Sequence, residues 1–134
     1  MVGLITPEEQ EKAKEKILEY YRKLYPGVEF KSQEEELSHE QLGELMYTYS
    51  GEETEATAEE KMRIIASAIG EGYSTPIIVL RAQGRNLMLD GHRRVRVAYG
   101  QGMSWKAIVI IPSTDAVFGI EKMVMGKVKD LWGK

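Results

Sequence analysis

The chain of 134 residues contains no cysteine, only two histidines and no long apolar run. The lack of cysteine excludes disulfides, thiolate metal ligands and thiol nucleophiles. Two histidines, His39 and His92, are too few for a histidine-rich metal site. The longest apolar runs, such as Ile77–Leu80, fall far below the roughly 20 residues that span a bilayer. We therefore expect one soluble, cytoplasmic domain over residues 1–134 with no membrane association.

The net charge of -3 is unevenly distributed along the chain. Residues 34–36 and 52–60 are acidic, whereas residues 81–96 hold five arginines and one acid. Proteins that bind nucleic acid through overall charge are usually basic, so the total charge does not favour DNA as the partner. The arginine-rich stretch instead indicates a local site for a nucleotide, with a DNA backbone as the alternative.

Residues 87–98 combine an apolar strand, an Asp-Gly turn and a short helix that opens with His-Arg-Arg. Backbone N–H groups at a helix start lack intrahelical partners and carry partial positive charge, so they attract phosphate or carboxylate. Gly91 lets an anion approach the backbone, and the cations after it would close around that anion. Arg93 and Arg94 point to different faces, so only one of them is expected to reach phosphate. The pattern predicts a nucleotide-phosphate site.

Three helix starts are indicated by capping residues. The first start is marked by Thr6, Pro7 and Glu9, the second by Ser38 and Gln41, and the third by Thr57 and Glu60. The first helix is expected over residues 6–25. Apolar stripes predict the buried face of each helix. The stripe is Ala13, Ile17, Tyr21 and Leu24 in the first helix, Leu42, Leu45, Met46 and Tyr49 in the second, and Met62, Ile65, Ala68 and Ile69 in the third. Residues 50–58 are polar and predict an exposed loop.

Strands are expected over residues 28–31, 75–80, 86–89 and 105–111, the first followed by an acidic loop. A last helix is predicted over residues 115–132, capped by Asp115, although two glycines weaken it. Helices therefore come first, then strand–strand–helix–strand, then a helix. This order predicts an α+β fold with a small mixed sheet and a core at about residues 28–112.

The segment from Lys61 to Ile111 resembles the ParB/sulfiredoxin superfamily. The hallmarks of that superfamily are a helix, a strand that begins near Pro-Ile, a hairpin partner that ends in Gly-x-[His/Arg]-Arg, a short helix followed by glycine, and a closing strand. The matching residues are Pro76-Ile77, Gly91-His92-Arg93-Arg94, Gly102 and Trp105–Ile111. The resemblance implies a ParB/sulfiredoxin-like fold with N-terminal and C-terminal helices added.

Three branches of this superfamily differ at the glycine turn. Sulfiredoxins use a cysteine where Gly91 stands, so their chemistry is excluded here. ParB partition proteins carry Gly-Glu-Arg-Arg-x-Arg-Ala and bind CTP, whereas His92 replaces the glutamate in this chain. The archaeal free serine kinases carry Val-Asp-Gly-His-His-Arg, with Pro-His-Glu-Gln upstream. Residues 89–94 and Ser38-His39-Glu40-Gln41 are similar to both motifs, so the chain most resembles this branch, with Arg93 in place of the second histidine.

The resemblance implies a nucleotide-dependent phosphotransferase that acts on a small hydroxylated acceptor. The cofactors would be ATP or ADP, with CTP as the alternative, and Mg²⁺. Glu40 would act as the catalytic base, Asp90 would hold Mg²⁺, and Asp90 or His92 would orient the acceptor. The residues implied to bind the donor phosphates are Lys61, Gly91, His92, Arg93 and Arg94.

Each of these assignments has a structural alternative. A tight turn explains Gly91, a helix cap explains Asp90, and a favourable interaction with the helix dipole explains Glu40. Lys61 fits an ion pair with acids on its own helix, and His92 fits a solvent-facing side chain. The alternative function is a ParB-like nucleotide-binding, DNA-associated module or nuclease without kinase activity. In that case the last helix would pair two protomers as a homodimer.

Overall fold

Helices cover both faces of a six-stranded mixed sheet in the computed structural model, which describes residues 4–48, 55–115 and 118–132. The helices are α1 (Pro7–Leu24), α2 (His39–Glu44), α3 (Glu55–Gly70), α4 (His92–Gly100) and α5 (Val128–Trp132). The strands are β1 (Phe30–Leu37), β2 (Met46–Tyr47), β3 (Ile77–Ala82), β4 (Arg85–Asp90), β5 (Trp105–Pro112) and β6 (Gly126–Lys127). The predicted α+β class with a mixed sheet is confirmed.

The sheet order is β1-β5-β3-β4-β2-β6. β3 runs parallel to β5, β2 runs parallel to β4, and the other neighbours are antiparallel. Because β4 runs opposite to β3, Asp90 at the end of β4 pairs with Ile78 near the start of β3. Gly91 follows Asp90, and we call the end of the sheet at which these residues lie the Gly91 end. The opposite side, where Gly84 and Arg85 join the two strands, is the Gly84 end.

Each face of the sheet has its own core cluster. On one face, Val79, Met88 and Val109 of the sheet join a cluster with Leu42 of α2 and Val95 of α4. On the other face, the cluster combines residues of four strands with residues of α1 and Phe118; it includes Leu80, Leu87, Ile110, Leu18 and Tyr21. The sheet thus holds α4 on one face and α1 on the other, and the ends of both helices are available to build a site at its Gly91 end.

The capping boxes predicted at the first two helix starts are present. Glu9 N–H donates to Thr6 Oγ1 at 3.1 Å, and Thr6 N–H donates to Glu9 Oε1 at 3.0 Å. Ser38 and Gln41 make the equivalent pair of hydrogen bonds at the start of α2. These local side-chain contacts fix the positions at which α1 and α2 begin.

The predicted acidic loop after the first strand is wrong, because β1 continues through all three glutamates of residues 34–36. β1 pairs with β5 along its whole length, from Phe30 opposite Pro112 to Leu37 opposite Trp105. Glu35 also accepts two hydrogen bonds, both of 2.9 Å, from the Arg81 guanidinium of β3. Cross-strand pairing therefore outweighs the low strand propensity of glutamate.

The predicted continuous helix over residues 115–132 is also wrong. Its described part consists of a 3-10 turn (Ile120–Met123), β6 and α5. Gly119 and Gly126 adopt φ of +88° and +151°, which interrupts a helix at both positions. The homodimer through this segment stays a prediction, and the described part of the segment is not one continuous helix.

The boundaries of the middle helices also differ from the prediction. α2 ends at Glu44, and Met46 enters β2 instead of a helical face. α3 begins at Glu55, two residues before the predicted cap at Thr57. The predicted loop is wrong over residues 55–58, which belong to α3. Tyr49, residues 50–54 of that loop and residues 116–117 of the predicted last helix lie outside the described residues. Within the described segments, no helix is both long enough and apolar enough to cross a membrane.

Candidate functional site at the start of α4

Gly91 joins β4 to α4 with a left-handed backbone, at φ +107°. Its neighbour is Ile77 at the start of β3, which contacts the space that a side chain at position 91 would fill. Both the backbone angle and the close packing require glycine here. The structural explanation for Gly91 therefore holds, and a role in anion binding is an additional prediction.

The first turn of α4 faces a cleft of about 330 Å³. Val95 N–H donates to the Gly91 carbonyl at 3.0 Å, which begins the hydrogen-bond series of α4. Gly91 is the N-cap residue and has no side chain that could accept a hydrogen bond from the first turn. The positive end of the helix dipole is thus directed toward the cleft. The cleft is lined by residues 89–94 together with Leu4, Ile5, Ile65 and Tyr73.

The Arg94 guanidinium is buried and is held by protein oxygens. Nη1 donates to the carbonyls of Thr75, at 3.1 Å, and Pro76, at 2.6 Å. Nη2 donates to Gln10 Oε1 at 2.7 Å. Burial lowers the pKa of Arg94, while nearby Tyr73 and Asp90 partly oppose that change. Arg94 therefore ties the start of β3 to α1 and contributes positive charge at the base of the cleft.

The Asp90 carboxylate lies at the cleft surface, with its side chain 43% exposed. It does not cap α4, because Oδ2 accepts a hydrogen bond of 3.0 Å from Gln10 Nε2. The same oxygen lies 3.9 Å from Arg94 Nη2, which is a loose ion pair. Asp90 is thus a carboxylate that contacts buried groups on one side and borders the cleft on the other.

His92 is the first residue of α4 and is partly buried. Burial lowers the pKa of His92 to about 4; the charges of Arg93 and Arg94 act in the same direction, and Asp90 acts against it. The imidazole is therefore neutral at pH 7, as the helix dipole at this position also favours. The alternative interpretation of His92 as a solvent-facing side chain does not hold, because the ring is partly buried. A neutral ring at the cleft can donate or accept one hydrogen bond to a ligand without adding charge.

Two further cations were predicted to bind phosphate, Arg93 and Lys61. Arg93 lines the cleft directly. Lys61 is exposed on α3 and does not line the cleft, but it lies one helical turn before Ile65, which does. Residues four apart share a helix face, so Lys61 lies on the same face of α3 as Ile65. The structure thus brings Arg93 to the start of α4 and leaves Lys61 at the periphery.

Glu40 lies in a different part of the molecule from the Gly91 turn. It borders a second cleft of about 450 Å³ with Arg85 and Asn86 at the Gly84 end of the sheet. Arg85 and Asp90 are five residues apart on β4, which corresponds to about 17 Å of extended strand. The neighbouring His39 ring stacks on Tyr99, near the C-terminus of α4, with ring centroids 4.4 Å apart. The structure therefore does not bring Glu40 together with Asp90 and His92.

The arginine-rich stretch over residues 81–96 does not form one basic surface. Arg81 is paired with Glu35 across β5, and Arg85 lies at the Gly84 end. Arg94 is buried at the Gly91 end. These three cations are therefore spread over both ends of the sheet and do not share one patch, and DNA as a partner stays the alternative prediction.

Sequence reasoning missed part of the cleft wall, which comes from the segment before and at the start of α1. The Ile5 carbonyl accepts hydrogen bonds from Tyr73 Oη, at 2.9 Å, and Thr75 Oγ1, at 3.1 Å. Gln10 belongs to α1 and is fully buried where this helix contacts the Gly91 turn. A signal was present in the sequence, because Gln10 falls three residues before Ala13 on the apolar stripe of α1. A polar residue on a buried stripe indicates a specific partner.

The carboxylate available for Mg²⁺ in this cleft is Asp90. No cluster of three or more His, Asp or Glu side chains suited to a metal ion occurs among the described residues. Mg²⁺ commonly uses one or two carboxylates together with phosphate oxygens and water. The exposed Asp90 carboxylate beside the α4 start fits that mode, in which the nucleotide supplies the other ligands.

No protein-family model matches this sequence, and no curated protein matches it either. The geometry of the cleft is therefore the main basis for a functional assignment.

Proposed function

We propose that this chain binds a nucleotide through its phosphates in the cleft at the start of α4. The observation that carries the proposal is that six consecutive residues, 89–94, line one cleft. They bring an N-terminal helix turn, Arg93 and Asp90 to a single concave surface. Phosphate bound there would accept hydrogen bonds from the backbone and a charge-assisted bond from a guanidinium.

The charge of the cleft suits an anion. Arg93 and Arg94 are two cations, Asp90 is one anion, and His92 is neutral. Arg93 lines the cleft and is only partly buried, so it is the arginine assigned to the ligand in this proposal. The volume of about 330 Å³ is at the lower end for a small-molecule site and is sufficient for a diphosphate group with part of a nucleoside.

The order of elements around the cleft supports membership of the ParB/sulfiredoxin superfamily as part of this proposal. The hairpin of β3 and β4 leads through Gly91 into α4, and β5 then returns parallel to β3. This is the arrangement implied by the Pro76-Ile77 and Gly91–Arg94 motifs. A nucleotide-binding role without disulfides also fits the cytoplasm, which we propose as its location.

Phosphotransfer to a small hydroxylated acceptor is the second candidate, and one observation favours it. The Asp90 carboxylate is exposed next to the proposed phosphate position. It would hold Mg²⁺, which neutralises phosphate charge when bound, or it would orient an acceptor hydroxyl. Glu40 has no part in this version, because it borders the other cleft.

Calorimetric titration of ADP, ATP and CTP, each with Mg²⁺, tests the binding proposal. We expect Arg93→Gln to weaken the affinity of the preferred nucleotide at least about tenfold, because a charge-assisted hydrogen bond is lost. Arg63→Gln is the matched control, since Arg63 is exposed on α3 and borders a different groove. Unchanged affinity in Arg93→Gln, or no nucleotide binding by the parent chain, would overturn the proposal.

Phosphorus-31 NMR of the same mixtures with and without L-serine separates the two candidates. A new phosphomonoester signal that requires serine would establish phosphotransfer. A bound but chemically unchanged nucleotide in every sample would leave the binding function and remove the kinase candidate for this acceptor.

A further inference from the structure

Gln10 connects the N-terminal helix to the cleft at the start of α4. Its Nε2 donates to Asp90 Oδ2 at 3.0 Å, and its Oε1 accepts from Arg94 Nη2 at 2.7 Å. A carboxylate only accepts hydrogen bonds and a guanidinium only donates them, so these two partners fix the orientation of the amide. Gln10 is fully buried, and Arg94 is 5% exposed. The contact therefore joins a neutral amide to two opposite charges.

The amide lies between two groups that would otherwise pair directly. Asp90 Oδ2 and Arg94 Nη2 are 3.9 Å apart, whereas a charge-assisted hydrogen bond is about 2.7–2.9 Å long. Opposite charges attract strongly in a partly buried setting. Gln10 already uses one donor of Arg94 and one acceptor of Asp90. The carboxylate is thereby held away from the guanidinium.

We propose that Gln10 is a positioning residue for this site, because it holds Asp90 away from Arg94 and keeps the exposed part of the Asp90 carboxylate at the cleft, where the ligand binds. The inference rests on the proposed nucleotide function and extends it to a residue 80 positions distant in the chain. The exposure of the Asp90 side chain, 43% beside two buried partners, is what this arrangement requires. The ligand group recognised by the Asp90 carboxylate is a hydroxyl of the nucleotide or its acceptor, or the Mg²⁺ ion that accompanies the phosphates.

Gln10→Leu tests this arrangement directly, because leucine has a volume similar to that of glutamine and makes neither hydrogen bond. In this variant Asp90 closes onto Arg94 and its carboxylate is no longer directed to the ligand. We expect the affinity for the preferred nucleotide among ADP, ATP and CTP, measured with Mg²⁺, to fall about tenfold. Asp90→Asn should lower the affinity by at least as much, since it removes the charge itself.

A double-mutant cycle of Gln10→Leu and Asp90→Asn tests whether Gln10 acts through Asp90. If it does, the double variant binds the nucleotide as Asp90→Asn does, and Gln10→Leu has no further effect in that background. Effects on affinity that multiply independently would overturn the inference. If Gln10→Leu does not fold, Gln10→Glu takes its place, because its carboxylate still accepts from Arg94 but cannot donate to Asp90.

Tyr25→Phe separates positioning from the general stability of α1. Tyr25 Oη donates to the Phe118 carbonyl at 2.8 Å, at the far end of α1 from the cleft. We expect this variant to unfold at a lower temperature and to keep its nucleotide affinity within about twofold. A parallel loss of affinity would show that docking of α1 alone sets binding, and would contradict a positioning role.

The two proposals fail in different ways. If the parent chain binds none of the three nucleotides, the proposed function is overturned, and the role of Gln10 falls with it. If the parent binds and the cycle is additive, only the role of Gln10 is overturned.

Discussion

A Cβ atom on Gly91 would lie 2.4 Å from Ile77 Cγ2, closer than real Cβ contacts come. The turn that opens α4 is therefore packed directly on the first residue of β3. This contact sets the distance between the helix start and the sheet, and with it the position of the cleft.

Gly91→Ala should be strongly destabilising. The left-handed backbone at φ +107° costs about 1–3 kcal/mol for a residue with Cβ, and the clash with Ile77 adds a similar amount. We expect the free energy of unfolding in urea to fall by about 3–5 kcal/mol. Gly102→Ala is the control, because Gly102 has φ +72° and nothing within 4 Å of its Cβ position. Equal losses in both variants would show that the Ile77 contact has no energetic role.

Replacing Arg94 should reduce stability even without a ligand. In Arg94→Met, the carbonyls of Thr75 and Pro76 and the Gln10 amide lose their donor. Trp105 Nε1 still donates to the Thr75 carbonyl at 2.9 Å, so the loss there is partial. We expect a decrease of about 3 kcal/mol in the free energy of unfolding. The exposed Arg22→Met in α1 should change it by less than about 0.5 kcal/mol.

The low pKa of His92 makes stability depend on pH. Because burial lowers the pKa of His92 to about 4, the unfolded chain, with a His pKa of about 6.5, binds more protons between these two values. Stability from this group is therefore complete above about pH 6.5 and decreases as the pH falls toward 4, by at most about 1.4 kcal/mol per pH unit.

Urea unfolding of the parent and of His92→Gln between pH 4 and pH 7 measures this contribution. The free energy of unfolding of the parent minus that of His92→Gln should be smaller at low pH than at neutral pH. A difference that stays constant over the range would mean that His92 titrates alike in both states.

The Arg81–Glu35 pair should couple β1 to β3 across β5. The hydrogen bonds that Glu35 accepts from Arg81, and to a smaller extent from Gln33, hold the pKa of Glu35 below its usual range. Stability from this carboxylate is thus present above the unfolded value of about 4.3 and is lost as the pH falls below it. Since both side chains are partly exposed, a double-mutant cycle of Glu35→Gln and Arg81→Met should give a coupling of about 1 kcal/mol at pH 7. A coupling energy near zero would show that the bidentate pair of Arg81 and Glu35 does not contribute to stability.

The hairpin of β3 and β4 and the helix after it were predictable, because their signals are local. Gly84, Gly91 and Gly102 mark the turns, and apolar runs lie between them. β1 was predicted too short, since its only buried residues are Phe30 at one end and Leu37 at the other. An edge strand with charged side chains is defined by its partner strand, which the sequence pattern does not reveal.

The composition of the site was predictable only in part, for a similar reason. Asp90, His92 and Arg93 are consecutive or nearly so, and one turn brings them to one cleft. The separation of Glu40 from them follows from the direction of β4, and the contact of Gln10 joins residues 80 and 84 positions apart. Both depend on topology, which short motifs do not contain.

The contact between Gln10 and Arg94 also has a consequence for synthesis on the ribosome. The arginine that holds the first turn of α1 is made 84 residues after Gln10. At about 5–20 residues per second, that interval is about 4–17 s. During this time the sheet face that α1 covers is incomplete, because Ile110 of β5 and Phe118 also belong to that cluster and are made later still. α1 therefore docks well after its own synthesis, when β4, α4 and β5 are complete.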